Sequence, residues 1–170
     1  ASLGEASRGI IANAMPFPEA SKIAFVSIAR YLADPAGFDA EESWEAALER
    51  VAGDDYLTVR AFADALRGSA LCTDDSPRLG ARLERFALNH SFGDPDLAIA
   101  ELAQVAAELL DVASAMRGIA NRALAAEVAP WVDQYERAAR ALALCAQIAA
   151  EGPVQPEGRA RVMAVLAELR

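Results

Sequence analysis

Apolar positions along most of this chain recur in steps of three and four, the spacing that puts one stripe on a helix. The pattern begins at Ala20, Ile23, Ala24, Ser27, Ile28 and Tyr31, after Pro18 at a helix start and Glu19 in the first turn. Asp34-Pro35 ends that segment, because the residue before a proline avoids the α region. Asp39 with Glu42 reads as a capping box for a second helix. Its stripe is Trp44, Ala47, Leu48 and Val51, and Gly53 closes it. A third helix starts at Asp54 or Asp55 and carries Val59, Phe62, Ala63 and Leu66.

Cys72 to Ser76 reads as a polar loop, and Ser76-Pro77 as cap and first position of a fourth helix with Leu79, Leu83, Phe86 and His90 on one face. Ser91-Phe92-Gly93 is a break, and Asp94-Pro95 repeats the cap-and-proline start. The long helix after it carries a seam of Leu102, Val105, Leu109, Val112, Met116 and Ile119. Helical pattern resumes to Ala129, where Pro130 predicts a break or kink. Trp131, Tyr135, Ala138, Leu142 and Cys145 form the next stripe, and Gly152-Pro153 stops it. A last helix is expected from Pro156 to Arg170. The expected fold class is all-α, an up-and-down bundle of about six to seven helices with short connections.

The beginning of the chain departs from this pattern. Gly9 precedes an apolar run with the β-branched pair Ile10-Ile11, bounded by Asn13 and two prolines. The simplest expectation is a short buried strand that turns at Asn13 and feeds the first helix. The chain offers no second strand to pair with it, and a lone strand leaves unpaired N–H and C=O groups. The N-terminal stretch therefore looks like the end of a larger α/β domain, with a helical domain following.

Composition narrows the function classes. In 170 residues the hydrophobic fraction is 54%, much of it alanine, and aromatics are 6%. Few large residues are left to carry the buried area, among them Phe25, Tyr31, Trp44, Phe62, Phe86, Trp131 and Tyr135. The net charge of −9, with Lys22 the only lysine, argues against nucleic acid and anionic membrane surfaces as partners. No stretch has the roughly 20 apolar residues of a membrane span, and no signal-peptide pattern opens the chain. Secreted and cytoplasmic locations both stay open.

Candidate chemistry is sparse. Asp54-Asp55 and Asp74-Asp75 are adjacent carboxylate pairs, but each precedes a helix and reads as a cap or solvated turn. Glu41, Glu42 and Glu45 read as an exposed face matched to a helix dipole, and His90 as a helix-end histidine with no second metal ligand nearby. Cys72 and Cys145 lack metal-ligand spacing and read as unlinked thiols, with a disulfide between them left open. No catalytic residue, cofactor or metal is assigned. Asn13 stands apart. At the C-terminal end of a strand in a parallel α/β domain it would lie where ligands bind, with one acceptor and two donors suited to sugar hydroxyls. It also suits a plain turn.

Gly9-Ile10-Ile11-Ala12-Asn13-Ala14-Met15-Pro16, then Glu19 through Ala24, Tyr31, Asp34-Pro35 and Ser43-Trp44-Glu45, resembles the junction region of glycoside hydrolase family 84. These are β-N-acetylglucosaminidases, including O-GlcNAcase relatives and hyaluronidase-type enzymes. Ala129-Pro130-Trp131 and its following helix resemble the later helical region of the family. The resemblance implies that residues 1–17 are the remnant of the last strand and loop of a (β/α)8 barrel, and that residues 18–170 form a helical post-catalytic domain. It implies removal of β-linked N-acetylglucosamine by the whole enzyme, with the substrate's acetamido group as nucleophile assisted by an aspartate pair on an earlier barrel strand. That strand is outside this sequence, so the chain alone is expected to be inactive. Asn13 matches the family residue that contacts sugar hydroxyls, with Ala14 where many relatives carry proline. The implied partners are the catalytic barrel of the same protein and, in the full enzyme, an N-acetylglucosamine-containing substrate. An unpaired N-terminal segment also leaves room for a homodimer. The alternative is a free-standing helical protein–protein interaction module.

Overall fold

A computed structural model describes residues 8–67, 77–151, 160, 161, 163 and 164. Six α-helices are present among the described residues: α1 Pro18–Ala33, α2 Ala40–Ala52, α3 Tyr56–Ala65, α4 Pro77–Phe92, α5 Pro95–Met116 and α6 Arg122–Ala150. A single turn of 3-10 helix, Gly53–Asp55, joins α2 to α3. Every regular element among the described residues is helical, as the stripe pattern requires. The chain divides into two compact units, residues 1–60 with 118–129, and residues 61–117 with 130–170.

The first unit is organised by α1 against α2. Ala47 and Leu48 of α2 are fully buried, with Ala52, Val59, Ile119 and Leu124. Ser43 is buried too, and its hydroxyl accepts a hydrogen bond from Arg30 Nε at 3.2 Å. A small polar residue on the buried face of α2 is thus tied to α1 by a charged donor, which offsets the cost of its burial. Asp39 caps α2, its Oδ1 accepting the Glu42 N–H at 2.7 Å. Tyr31 meets Phe38 edge to face, with ring centroids 5.3 Å apart. The loop between them is turned by Asp34, whose Oδ1 accepts the Gly37 N–H. Gly53 has φ +58, the left-handed backbone that closes α2 at low steric cost only for glycine.

The second unit is organised by α4 against α5. Asp94 caps α5 by accepting the Leu97 N–H. Leu102, Val105 and Met116 of the expected seam are buried, and Leu109 and Val112 are half-buried. Small side chains fill much of this core: Ala98, Ala106, Ala113 and Ala139 have no exposed surface. Phe62 and Tyr135 supply the aromatic volume, their ring centroids 5.3 Å apart.

Four expectations need correction. The Gly9–Asn13 stretch forms no strand, and Ile10 and Ile11 are exposed. Strands are stabilised by pairing, and the described chain offers no second strand to pair with. Of the break or kink expected at Pro130, the break is absent, because helix α6 continues through that residue. Side chains on both sides of the proline are buried, Leu124 before it and Val132 and Tyr135 after it, and that burial offsets the N–H the proline does not donate. With the helix unbroken, Val132 joins Tyr135 and Ala139 on the buried stripe, and Trp131 lies about 100° round the axis and is exposed. Finally, α3 begins at Tyr56, one residue beyond the expected aspartates. Cys72, Asp74, Asp75 and most of the expected final helix lie outside the described residues, although residues 160, 161, 163 and 164 are helical.

Candidate functional site

The only binding candidate the sequence singled out, Asn13, sits in the irregular segment that leads into α1 and is exposed. What fixes this segment is the start of α1. The first N–H groups of any helix have no partner inside it. Phe17, at the cap position, provides no side-chain acceptor, and Pro18 removes one donor. The acceptor comes instead from α6. Glu127 Oε1 takes the Glu19 N–H and Glu127 Oε2 takes the Ala20 N–H, each at 3.0 Å. A carboxylate bridging two N–H groups at a helix N-terminus combines charge-assisted hydrogen bonds with a favourable dipole.

Asn121 secures the other side of this clamp. Its Oδ1 accepts the Leu124 N–H and so caps the start of α6. Its Nδ2 donates to Glu19 Oε2 at 3.2 Å and to the Val51 carbonyl at 3.3 Å. Glu19 Oε1 accepts from Lys22 Nζ at 2.6 Å. The Lys22 ammonium first, and the Asn121 amide second, hold the Glu19 carboxyl below its ordinary value. One turn into α1, the buried Ser21 accepts the Met15 N–H on its Oγ at 3.1 Å. The chain two residues after Asn13 is therefore bonded to a buried side chain of a helix whose start is itself clamped.

The other candidates serve structure. Asp55 Oδ2 accepts the Ala120 N–H at 2.6 Å, so it is more than a solvated cap. Glu45 is not part of an exposed acidic face: it accepts from the Tyr56 hydroxyl and pairs with Arg60. The bond to Glu45 pushes the Tyr56 phenol up, since it favours the protonated hydroxyl. Glu42 pairs with Arg30. His90 is exposed and lies against Phe86, ring centroids 5.5 Å apart. Cys145 is a free, half-buried thiol. Among the described residues no group of three or more His, Cys, Asp or Glu side chains could hold a metal ion. None of their helices is long and apolar enough to cross a membrane. A groove of about 480 Å³ in the second unit is lined mainly by alanines, including Ala100, Ala103 and Ala107, with Asp96 and Gln147 as its polar members. Nothing in that lining pairs a nucleophile with a base.

Sequence reasoning missed Glu127 and Asn121. Two signals pointed to them: a helix start at Phe17-Pro18 with no cap of its own, and an asparagine three residues before Leu124. The first announces a need for an acceptor, but not where it comes from.

The NAGidase family model, described as beta-N-acetylglucosaminidase, matches residues 1–64. Over these residues the chain is similar to that family. The family segment takes in Asn13, Ser21, the whole of α1 and α2, and the Ser43-Trp44-Glu45 run. A solved structure described as "Structure of CpGH84B" is similar over 98% of this chain, with TM-score 0.77 and 23% sequence identity. That likeness carries the helical fold onward beyond the family segment. The chain spans 31% of that structure's length. Among curated proteins none matches.

Proposed function

We propose that this chain is the barrel-end and helical region of a β-N-acetylglucosaminidase of glycoside hydrolase family 84, and that it supports the reaction without carrying the catalytic pair. Residues 1–17 then belong to the last strand and loop of the barrel, and residues 18–170 to the helical domain behind it. The whole enzyme removes β-linked N-acetylglucosamine. Asn13 contributes hydrogen bonds to sugar hydroxyls at the barrel rim, using the one acceptor and two donors of its amide. The aspartates that assist the acetamido nucleophile come from the barrel.

The observation that carries this reading is the family segment together with the apolar side chains it leaves in water. Ile10 is 39%, Ile11 94% and Met15 52% exposed, all within a few residues of one another and directly before a clamped helix. A neighbouring pair of β-branched residues left in water suits burial in a sheet, where a barrel would cover both faces. Recovery of that burial is a reason for the segment to join a sheet.

The test compares this chain alone with a longer protein that adds the barrel. The chain alone should release no nitrophenol from 4-nitrophenyl N-acetyl-β-glucosaminide, and the longer protein should release it with retention of configuration. Turnover by the chain alone would overturn the supporting role. An upstream sequence without a barrel and its aspartate pair would favour the interaction-module reading instead.

A further inference from the structure

We propose that Ser21 and Glu127 are positioning residues for Asn13; this rests on the reading above, in which Asn13 binds the sugar. A series of connected hydrogen bonds runs from Glu127 through α1 to the residue two positions after Asn13. An exposed asparagine in an irregular segment has no fixed pose of its own, and each residue it must order costs conformational entropy. The Met15 N–H donates to Ser21 Oγ at 3.1 Å, two residues from Asn13. Ser21 is buried, so its hydroxyl is held by packing as well as by its place on α1. The backbone of that same turn is held by Glu127 through the Glu19 and Ala20 N–H groups at 3.0 Å. Asn121 joins Glu19 to the Val51 carbonyl. Residues far along the chain thus set where the segment leaves α1, and a sugar-binding group gains affinity when its ordering is completed before binding.

Proline at position 14 would restrict the backbone next to Asn13, whereas this chain has Ala14 there. The Met15–Ser21 bond supplies a restraint one residue further on. It acts on substrate binding, so its loss should appear in KM with kcat retained.

The experiment uses the enzyme proposed above, barrel and helical region together, with an aryl N-acetylglucosaminide. Ser21→Ala should raise KM about five-fold with kcat nearly unchanged, corresponding to about 1 kcal/mol for one lost hydrogen bond. Ser21→Thr, which keeps the hydroxyl, should restore most of the affinity. Glu127→Gln should raise KM in the same direction, and stands in for Ser21→Ala if that variant fails to fold. In an Asn13→Ala background neither change should raise KM further, because the effect passes through Asn13. Full additivity with Asn13→Ala, or an unchanged KM in both single variants of an active enzyme, would overturn this inference alone. A wild-type enzyme that hydrolyses no N-acetylglucosaminide would overturn the functional reading and this inference with it.

Discussion

Glu127 accepts the backbone N–H of Ala20 at 3.0 Å, across 107 positions of sequence. A helix start without a local cap is satisfied by a residue distant in sequence, and the irregular segment that carries Asn13 inherits its anchorage from that contact. The isolated first helix would have four unsatisfied donors at this end less the one proline removes.

Removing the acceptor should therefore be felt by the fold. Glu127→Ala leaves two part-buried N–H groups without a partner and should lower unfolding free energy by about 1–2 kcal/mol. Glu127→Gln keeps one carbonyl oxygen but not the charge, and should lie between. Urea unfolding followed by helical circular dichroism distinguishes the three proteins, and an unchanged midpoint for Glu127→Ala would contradict the clamp.

Gly53 gives a test free of packing. A Cβ built there meets nothing within 4 Å, so Gly53→Ala adds no clash and only the left-handed φ of +58 is penalised. The expected loss is about 1 kcal/mol, measured by the same unfolding curves. Gly53→Asn should lose a similar amount, since ψ −127 lies outside the αL region that asparagine tolerates.

The smaller Leu48 should cost more to truncate than the larger Trp131. Leu48 is fully buried in the first unit, and Leu48→Ala should destabilise by about 3 kcal/mol or more through lost burial and a residual cavity. Trp131 is 43% exposed, and Trp131→Ala should cost clearly less than a buried aromatic truncation, which runs to about 3–5 kcal/mol. Equal losses would place Trp131 back on the core stripe.

Acid should weaken the protein. Arg140 first and Arg117 second hold the Glu136 carboxyl below its ordinary value of 4.5, and Arg82 does the same for Glu108. The Glu19 carboxyl is lowered by Lys22 and Asn121. In each case the unfolded chain binds the proton more readily, so the stability these contacts add is present above about pH 4.5 and is lost as pH falls through the lowered folded values. Melting temperature should drop below that pH, and Glu136→Gln should flatten part of the drop. All three carboxylates lie near the surface, so added salt should shrink the effect.

At the alkaline end Tyr135 is the marker. Burial pushes its phenol up to about 12 from the ordinary 10.0. The neutral form is the one the core accepts, so the associated stability is full below pH 10 and is lost as pH rises through about 12. An ultraviolet phenolate titration should show a step near pH 12 that Tyr135→Phe removes, while Tyr56, raised by its bond to Glu45, still ionises late in that variant. A titration already complete by about pH 11 would contradict the burial of this ring.

Local signals determined much of this protein. Asp39, Asp94, Pro18, Pro95 and Gly53 mark helix ends because capping and backbone preference act within a few residues, and the seam from Leu102 to Met116 marks a buried face because helical periodicity is itself local. The family segment was legible for a similar reason, as a run of specific residues from Gly9 to Glu45. Tertiary structure decided the rest. Whether Gly9–Asn13 becomes a strand depends on a partner that the described chain does not supply. Whether Pro130 breaks α6 depends on what is buried on either side of it, and with it whether Val132 or Trp131 turns inward. That Glu45 serves Tyr56 and Arg60, and that Glu127 serves Glu19 and Ala20, could not be read from spacing, because hydrogen-bond donors and acceptors find one another in space.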